Sequence, residues 1–193
     1  MRISAGVAKG RRIGFKKAFL TKDDGDELRP TSSKVREALF DIVRNSLPGA
    51  AFLDLYAGTG GVGMEALSRG AAKVVFVESS RVRARMIERL ASEFNFAQQA
   101  AVLSMSVRDF IREEAEEGKR YDIVFLDPPY HSGELMEVLP LIGEGNILEE
   151  GSLVIAEHFF KTRLPDTIEG LGLIKSYKYG DTVLTVYRIT RRV

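Results

Sequence analysis

The 193-residue sequence predicts an α/β protein: a seven-stranded, mostly parallel sheet with helices on both faces, a terminal antiparallel hairpin and a small N-terminal β extension. Three observations carry this. From Ala51 onward, short apolar runs alternate with helix-length amphipathic segments. The first run ends in a glycine-rich turn, Ala57-Gly58-Thr59-Gly60. The chain closes with two apolar, β-branched runs, Leu173 to Tyr177 and Val183 to Ile189, around the turn Lys178-Tyr179-Gly180-Asp181.

Residues 1–28 form the extension, with Gly6, Gly10 and Gly14 as turns between short strands or loops. Its first 22 residues carry seven basic side chains (Arg2, Lys9, Arg11, Arg12, Lys16, Lys17, Lys22) and no acidic one. That leaves 21 basic and 27 acidic residues elsewhere, so +7 faces −6. A cationic flap on a mildly acidic body suits a phosphate-bearing partner, with Arg11 and Arg12 as candidate contacts; a solvated basic strand pair accounts for the same charges. Residues 29–48 hold a leading helix. Val35, Leu39, Ile42 and Val43 recur at helical spacing, Thr31 or Ser32 caps the start, and Pro48-Gly49 ends it. Within the core, 51–193, the pattern gives strands near 51–56, 73–78, 101–105, 121–126 and 152–157, with helices near 61–69, 81–94, 107–117 and 133–143.

The length and an apolar content of 45% fit one domain. No run reaches the roughly 18 apolar residues of a membrane span, and the start of the chain has no apolar block, so a soluble, cytoplasmic protein is expected. Cysteine is absent and the histidines are His131 and His158. Disulfides, thiolate nucleophiles and Cys- or His-rich metal sites are thereby excluded, and no metal is expected. Nothing requires more than a monomer.

Phe52 to Gly63 is a buried strand running into a turn that opens a helix, and it contains GxGxxG. A nicotinamide or flavin reading would place a pyrophosphate there. Asp54 opposes it, because its charge sits just before the turn. S-adenosylmethionine has no phosphate and carries an ammonium, and Asp54 can accept from that group directly or through water. Ala57, Gly58 and Gly60 let the backbone approach the cofactor. Glu78, ending the second strand, is placed to accept from the ribose hydroxyls. The third strand ends near Ser106 and Val107, expected beside the adenine; Asp109 is either an alternative acceptor or a helix N-terminal carboxylate.

The fourth strand runs into Asp127-Pro128-Pro129-Tyr130 at the sheet edge where open α/β folds bind ligands. An exocyclic base nitrogen is a poor nucleophile, since its lone pair is delocalised into the ring. Asp127 and the Pro128 carbonyl can accept from the two amine protons and align that lone pair with a methyl donor, while Pro128 and Pro129 hold the backbone in place. Tyr130 would stack on the presented base. Asp-Pro-Pro is also ordinary turn chemistry. The two motifs together read as an S-adenosylmethionine-dependent methyltransferase acting on a base amine.

The chain resembles the RsmD-like family of 16S rRNA guanine-N2 methyltransferases, members of the Rossmann-like class I S-adenosylmethionine-dependent enzymes. Nearly the whole length carries the likeness: Arg2 to Gly6 with Lys9 to Arg12, Leu28 to Thr31 with Val35 to Phe40, Leu53 to Gly60, Glu65 to Ala71, and Phe125 to Tyr130. The resemblance implies methylation of one guanine N2 of 16S rRNA in small subunits or their assembly intermediates. In similar enzymes the residues matching Arg29 and Thr31 lie beside the active site, which implies contacts to cofactor or RNA. Ser106 departs from the family, whose members often carry aspartate there. Alternatives are the same chemistry on adenine N6 of DNA or RNA, a nicotinamide-dependent oxidoreductase, and a noncatalytic RNA-binding assembly protein.

Overall fold

In the computed structural model, residues 1–14, 31–129 and 132–189 are described. Arg29, Tyr130, Lys16, Lys17, Lys22 and His131, all named above, lie outside them. The described elements run α1 (Ser33–Ile42), β1 (Ala51–Leu55), α2 (Gly61–Ser68), β2 (Lys73–Val77), α3 (Arg81–Glu93), β3 (Ala100–Leu103), α4 (Val107–Glu117), β4 (Tyr121–Leu126), α5 (Glu134–Glu144), β5 (Leu148–Phe159), β6 (Thr167–Ile168), β7 (Leu171–Tyr179) and β8 (Thr182–Ile189).

The strands form one sheet in the order β3-β2-β1-β4-β5-β8-β7-β6. β1 to β5 are parallel, and β8 enters antiparallel between β5 and β7. This is the expected mostly parallel sheet with its terminal hairpin, extended at the edge by the two-residue β6. Each of the central strands β1, β2 and β4 is apolar throughout its buried length apart from Asp54, because helices cover both faces. On one face α1, α2, α3 and residues 1–14 pack over Phe52, Phe76, Phe125 and Ile155. On the other, α4 and α5 pack over Leu53, Leu55, Val124 and Tyr187.

Three helices start at a serine whose Oγ accepts from the first turn: Ser32 from Val35 N, Ser80 from Arg83 N and Ser106 from Asp109 N. Ser32, rather than Thr31, therefore caps α1. The leading helix is shorter than its periodicity suggests, because the chain continues from Val43 to Leu47 as hydrogen-bonded turns that reverse it into β1. β5 is longer than its apolar stretch. Its hydrophilic start pairs with β4 across a register shift between Tyr121 and Ile123, and ladder bonds form there irrespective of side-chain polarity.

Among the described residues of the N-terminal extension, 1–14 form a loop closed by one antiparallel bridge, Arg2 to Arg12. Its polar groups are spent on α2. Fully buried Glu65 accepts from Ser4 N (2.8 Å), Ser4 Oγ (2.7 Å), Ala5 N (3.0 Å) and Arg69 Nε (2.8 Å), with Arg36 Nε 3.6 Å away. Burial alone would raise the Glu65 pKa; the donors around it reverse this and hold it below the ordinary value. Ile3, Ala8 and Ile13 add apolar anchors, so residues 1–14 are part of the core.

Candidate active site

The site is built on the C-terminal rim of the parallel strands. Leu55 is level with Val77 on one side and with Leu126 on the other, so the residues that follow, Tyr56, Glu78 and Asp127, leave the sheet at one edge. Asp54 lies one residue inside that edge and is 2% exposed. The glycine turn follows at once. Gly58 and Gly60 take left-handed φ angles of 54° and 72°, which a side chain would resist, and α2 starts at Gly61.

Each carboxylate has a defined job in holding this turn. Asp54 Oδ2 accepts from Gly63 N at 2.9 Å, which ties the strand to the first turn of α2. Glu78 Oε2 accepts from Gly58 N at 2.8 Å, while its Oε1 accepts from Ser80 N (2.8 Å) and from Arg83 Nε (2.9 Å). Thr31, arriving just before α1, donates its hydroxyl to Asp127 Oδ2 at 3.2 Å. That bond joins residues 96 apart in sequence, and no local pattern announces it.

Among the described residues the one cation on these carboxylates is Arg83, on Glu78. Burial pushes the Asp54 carboxyl up to about 7; the Gly63 bond opposes this, and the charges of Asp127 and Glu78 add to it. Burial likewise pushes Asp127 up to about 7, against the pull of the Thr31 hydroxyl. Among the described residues neither Asp54 nor Asp127 has a cationic partner. Glu78 is paired with Arg83, and the buried carboxyls of Asp54 and Asp127 disfavour a pyrophosphate beside them and favour a cation.

The other expected residues fall as follows. Ala57 and Gly58 form the turn with Gly60, and Val107 opens α4 behind Ser106. Ser106 Oγ is engaged with its own helix, accepting from Asp109 N (3.1 Å) and donating to Asp109 Oδ2 (2.7 Å). Asp109 is thus a first-turn carboxylate of α4. Pro128 is buried and Pro129 exposed, leaving the rim directly after Asp127. Arg11 is already committed, donating Nη1 to Glu93 O (3.1 Å) with its guanidinium 5.4 Å from the Phe94 ring, whereas exposed Arg12 faces outward with only its backbone engaged among the described residues.

Sequence reasoning missed Tyr56. It holds a φ of 63°, rare for a bulky residue, and burial, with the Glu134 carboxylate at the start of α5, pushes its pKa up. A bulky residue before Ala-Gly-Thr-Gly gives no sequence signal of that backbone strain.

Sheet order, the glycine turn after β1 and the Asp-Pro-Pro turn after β4 define a class I methyltransferase fold. An RNA methyltransferase structure from Salinibacter ruber shares the fold at TM-score 0.64 and 16% identity, over 86% of this chain and 96% of that one. A family model described as Conserved hypothetical protein 95 matches residues 1–188, and the chain belongs to this family of RsmD-like methyltransferases. The Ribosomal RNA small subunit methyltransferase D of Escherichia coli K12 is 32% identical over 189 residues, 97% of this chain and 89% of that protein. The structure of a hypothetical protein from Thermus thermophilus superposes at TM-score 0.81 with 28% identity, covering 98% of this chain and 99% of that one.

Proposed function

We propose that this protein transfers the methyl group of S-adenosylmethionine to the exocyclic N2 of a guanine in 16S rRNA of the small ribosomal subunit. The observation that carries the reading is Asp127, opening the Asp-Pro-Pro turn on the rim it shares with Asp54 and Glu78, with one carboxylate oxygen held by Thr31. The donor set fits the cofactor. Buried Asp54 lacks a cationic partner among the described residues, and by lone-pair count Glu78 Oε2 retains one acceptor site for a ribose hydroxyl. Bound S-adenosylmethionine would supply an electrophilic sulfonium methyl.

The protein's own part is orientation and proton handling. With Oδ2 occupied by Thr31, Oδ1 of Asp127 is left to accept one amine proton of the base, and the Pro128 carbonyl accepts the other. The nitrogen lone pair is then turned out of conjugation and toward the methyl group, an alignment worth most in the transition state. After transfer the amine is cationic, and its proton passes to Asp127 or to water. Tyr130, Arg29 and Arg12 are the remaining candidates for holding the RNA. The guanine and small-subunit assignment draws on the family and on what the Escherichia coli relative is named for. A cytoplasmic, monomeric enzyme working without a metal is consistent with that target.

The test is transfer of labelled methyl from S-adenosylmethionine to small subunits from a strain lacking this protein, followed by nucleoside mass spectrometry. One N2-methylguanosine in 16S rRNA is expected. Label in N6-methyladenosine would overturn the guanine assignment, and absence of label from every nucleic acid would overturn catalysis.

A further inference from the structure

β5 lies beside β4 and leaves the sheet at the same rim, with Leu126 level with Ala156. It continues to Phe159 and turns at Phe160 and Lys161. At ~3.3 Å per residue along a strand and ~4.8 Å between strands, this turn lies roughly 10–15 Å from Asp127. The turn between β7 and β8 reaches the same place, where Phe160 N donates to Asp181 O at 2.9 Å.

Two ammonium groups converge on one ring there. Lys178 Nζ is 4.3 Å and Lys161 Nζ 5.8 Å from the centroid of Phe160, whose side chain is 36% exposed. Phe159 backs that ring edge-on at 4.7 Å. Neither lysine has a carboxylate partner among the described residues. Two cations without a carboxylate partner among the described residues, resting over a partly exposed ring, make a poor site for an apolar partner and a good one for a polyanion that carries flat rings. An acidic peptide would answer the charges but not the ring; a nucleotide answers both in each repeat. The position agrees. The cluster lies on the rim itself, on the β5 and β8 side of Asp127, whereas Val7, Ala8 and Arg11 dock at the C-terminal ends of α2 and α3, at the opposite edge of the sheet. A strand with its target at Asp127 would therefore meet the cluster.

We propose that Phe160, Lys161 and Lys178 form a second RNA contact: the two ammonium groups swing from the ring to backbone phosphates, and a base flanking the target stacks on the ring face that Lys178 vacates. This rests on the reading that RNA is the substrate. It is tested with a Lys161→Glu/Lys178→Glu double variant and with Phe160→Leu, by steady-state transfer to small subunits over a range of salt, calorimetric cofactor affinity and thermal melting. We expect KM for the particles to rise roughly tenfold or more in the double variant and roughly fivefold in Phe160→Leu. The salt dependence of KM in the double variant should be shallower by about 1 to 2 in log–log slope. Saturated rate, cofactor affinity and melting temperature should stay as in the unmodified protein. A KM within twofold and an unchanged slope, with the unmodified protein still methylating RNA, would refute the contact and leave the substrate assignment standing. A raised KM with an unchanged slope would assign the cluster to a ribosomal protein instead, and failure of the unmodified protein to methylate any RNA would sink both.

Discussion

Asp54 is held in a place that costs the empty protein stability, and Asp54→Asn isolates that cost. In the unfolded chain its carboxyl releases its proton near 3.8, and in the folded chain only near 7. Between those values the folded state keeps a proton the unfolded state has lost, so its stability falls as pH rises and levels off above about 7. The difference of about three pK units corresponds to roughly 4 kcal/mol at pH 8 and roughly 2 kcal/mol at pH 5, from about 1.4 kcal/mol per unit. Asparagine keeps an oxygen for Gly63 N but carries no charge. The variant should therefore be the more stable protein without cofactor, by up to about 4 kcal/mol at pH 8 and distinctly less at pH 5. It should also bind S-adenosylmethionine much more weakly, having lost the partner of the ammonium. Urea unfolding at both pH values, with calorimetry for binding, measures this. A variant no more stable than the parent at pH 8, or one whose gain is the same at both pH values, would refute the placement of an uncompensated carboxyl at the rim.

The other predictions concern the neighbours of Asp54. Asp127→Ala should lower the rate of methyl transfer by a factor on the order of a hundred or more while changing cofactor affinity little; equal losses in both would contradict a role confined to the transition state. Thr31→Val removes the bond that pulls the Asp127 pKa down, so the rise of rate with pH, which follows ionisation of that carboxyl, should move to higher pH. Thr31→Ser should restore it, and identical pH profiles for the two variants would limit Thr31 to packing. Gly63→Ala would set a Cβ 2.2 Å from Cε1 of the Phe76 ring, so a loss of about 1–3 kcal/mol in thermal or urea stability is expected together with weaker cofactor binding.

The fold was legible because its signals are local. A buried parallel strand reads as an apolar run, an amphipathic helix reads through its period, and Ser32 sits where a helix start needs an acceptor. Boundaries slipped where side-chain polarity and backbone pairing part company, as in the hydrophilic start of β5 and the two-residue β6. The basic N-terminus shows another limit of sequence spacing. Charge counting gives its sign but not its engagements, and Arg11, free on paper, rests on the end of α3. The cluster of Phe160, Lys161 and Lys178 was invisible for the same reason, since it joins two turns that only the antiparallel placement of β8 brings together.

By itself the sequence determined the class of chemistry, because Asp54, the glycine turn, Glu78 and Asp127 each stand at a fixed offset from an apolar strand. Parallel strands in one sheet deliver such offsets to a common rim. What only the tertiary structure decided are the contacts between rims and arms: Thr31 on Asp127, and Glu65 holding the first residues of the chain. A hydrogen bond needs its atoms within about 3 Å. That precision comes from the packing of α1, α2 and α5 on the sheet, and sequence spacing does not encode it.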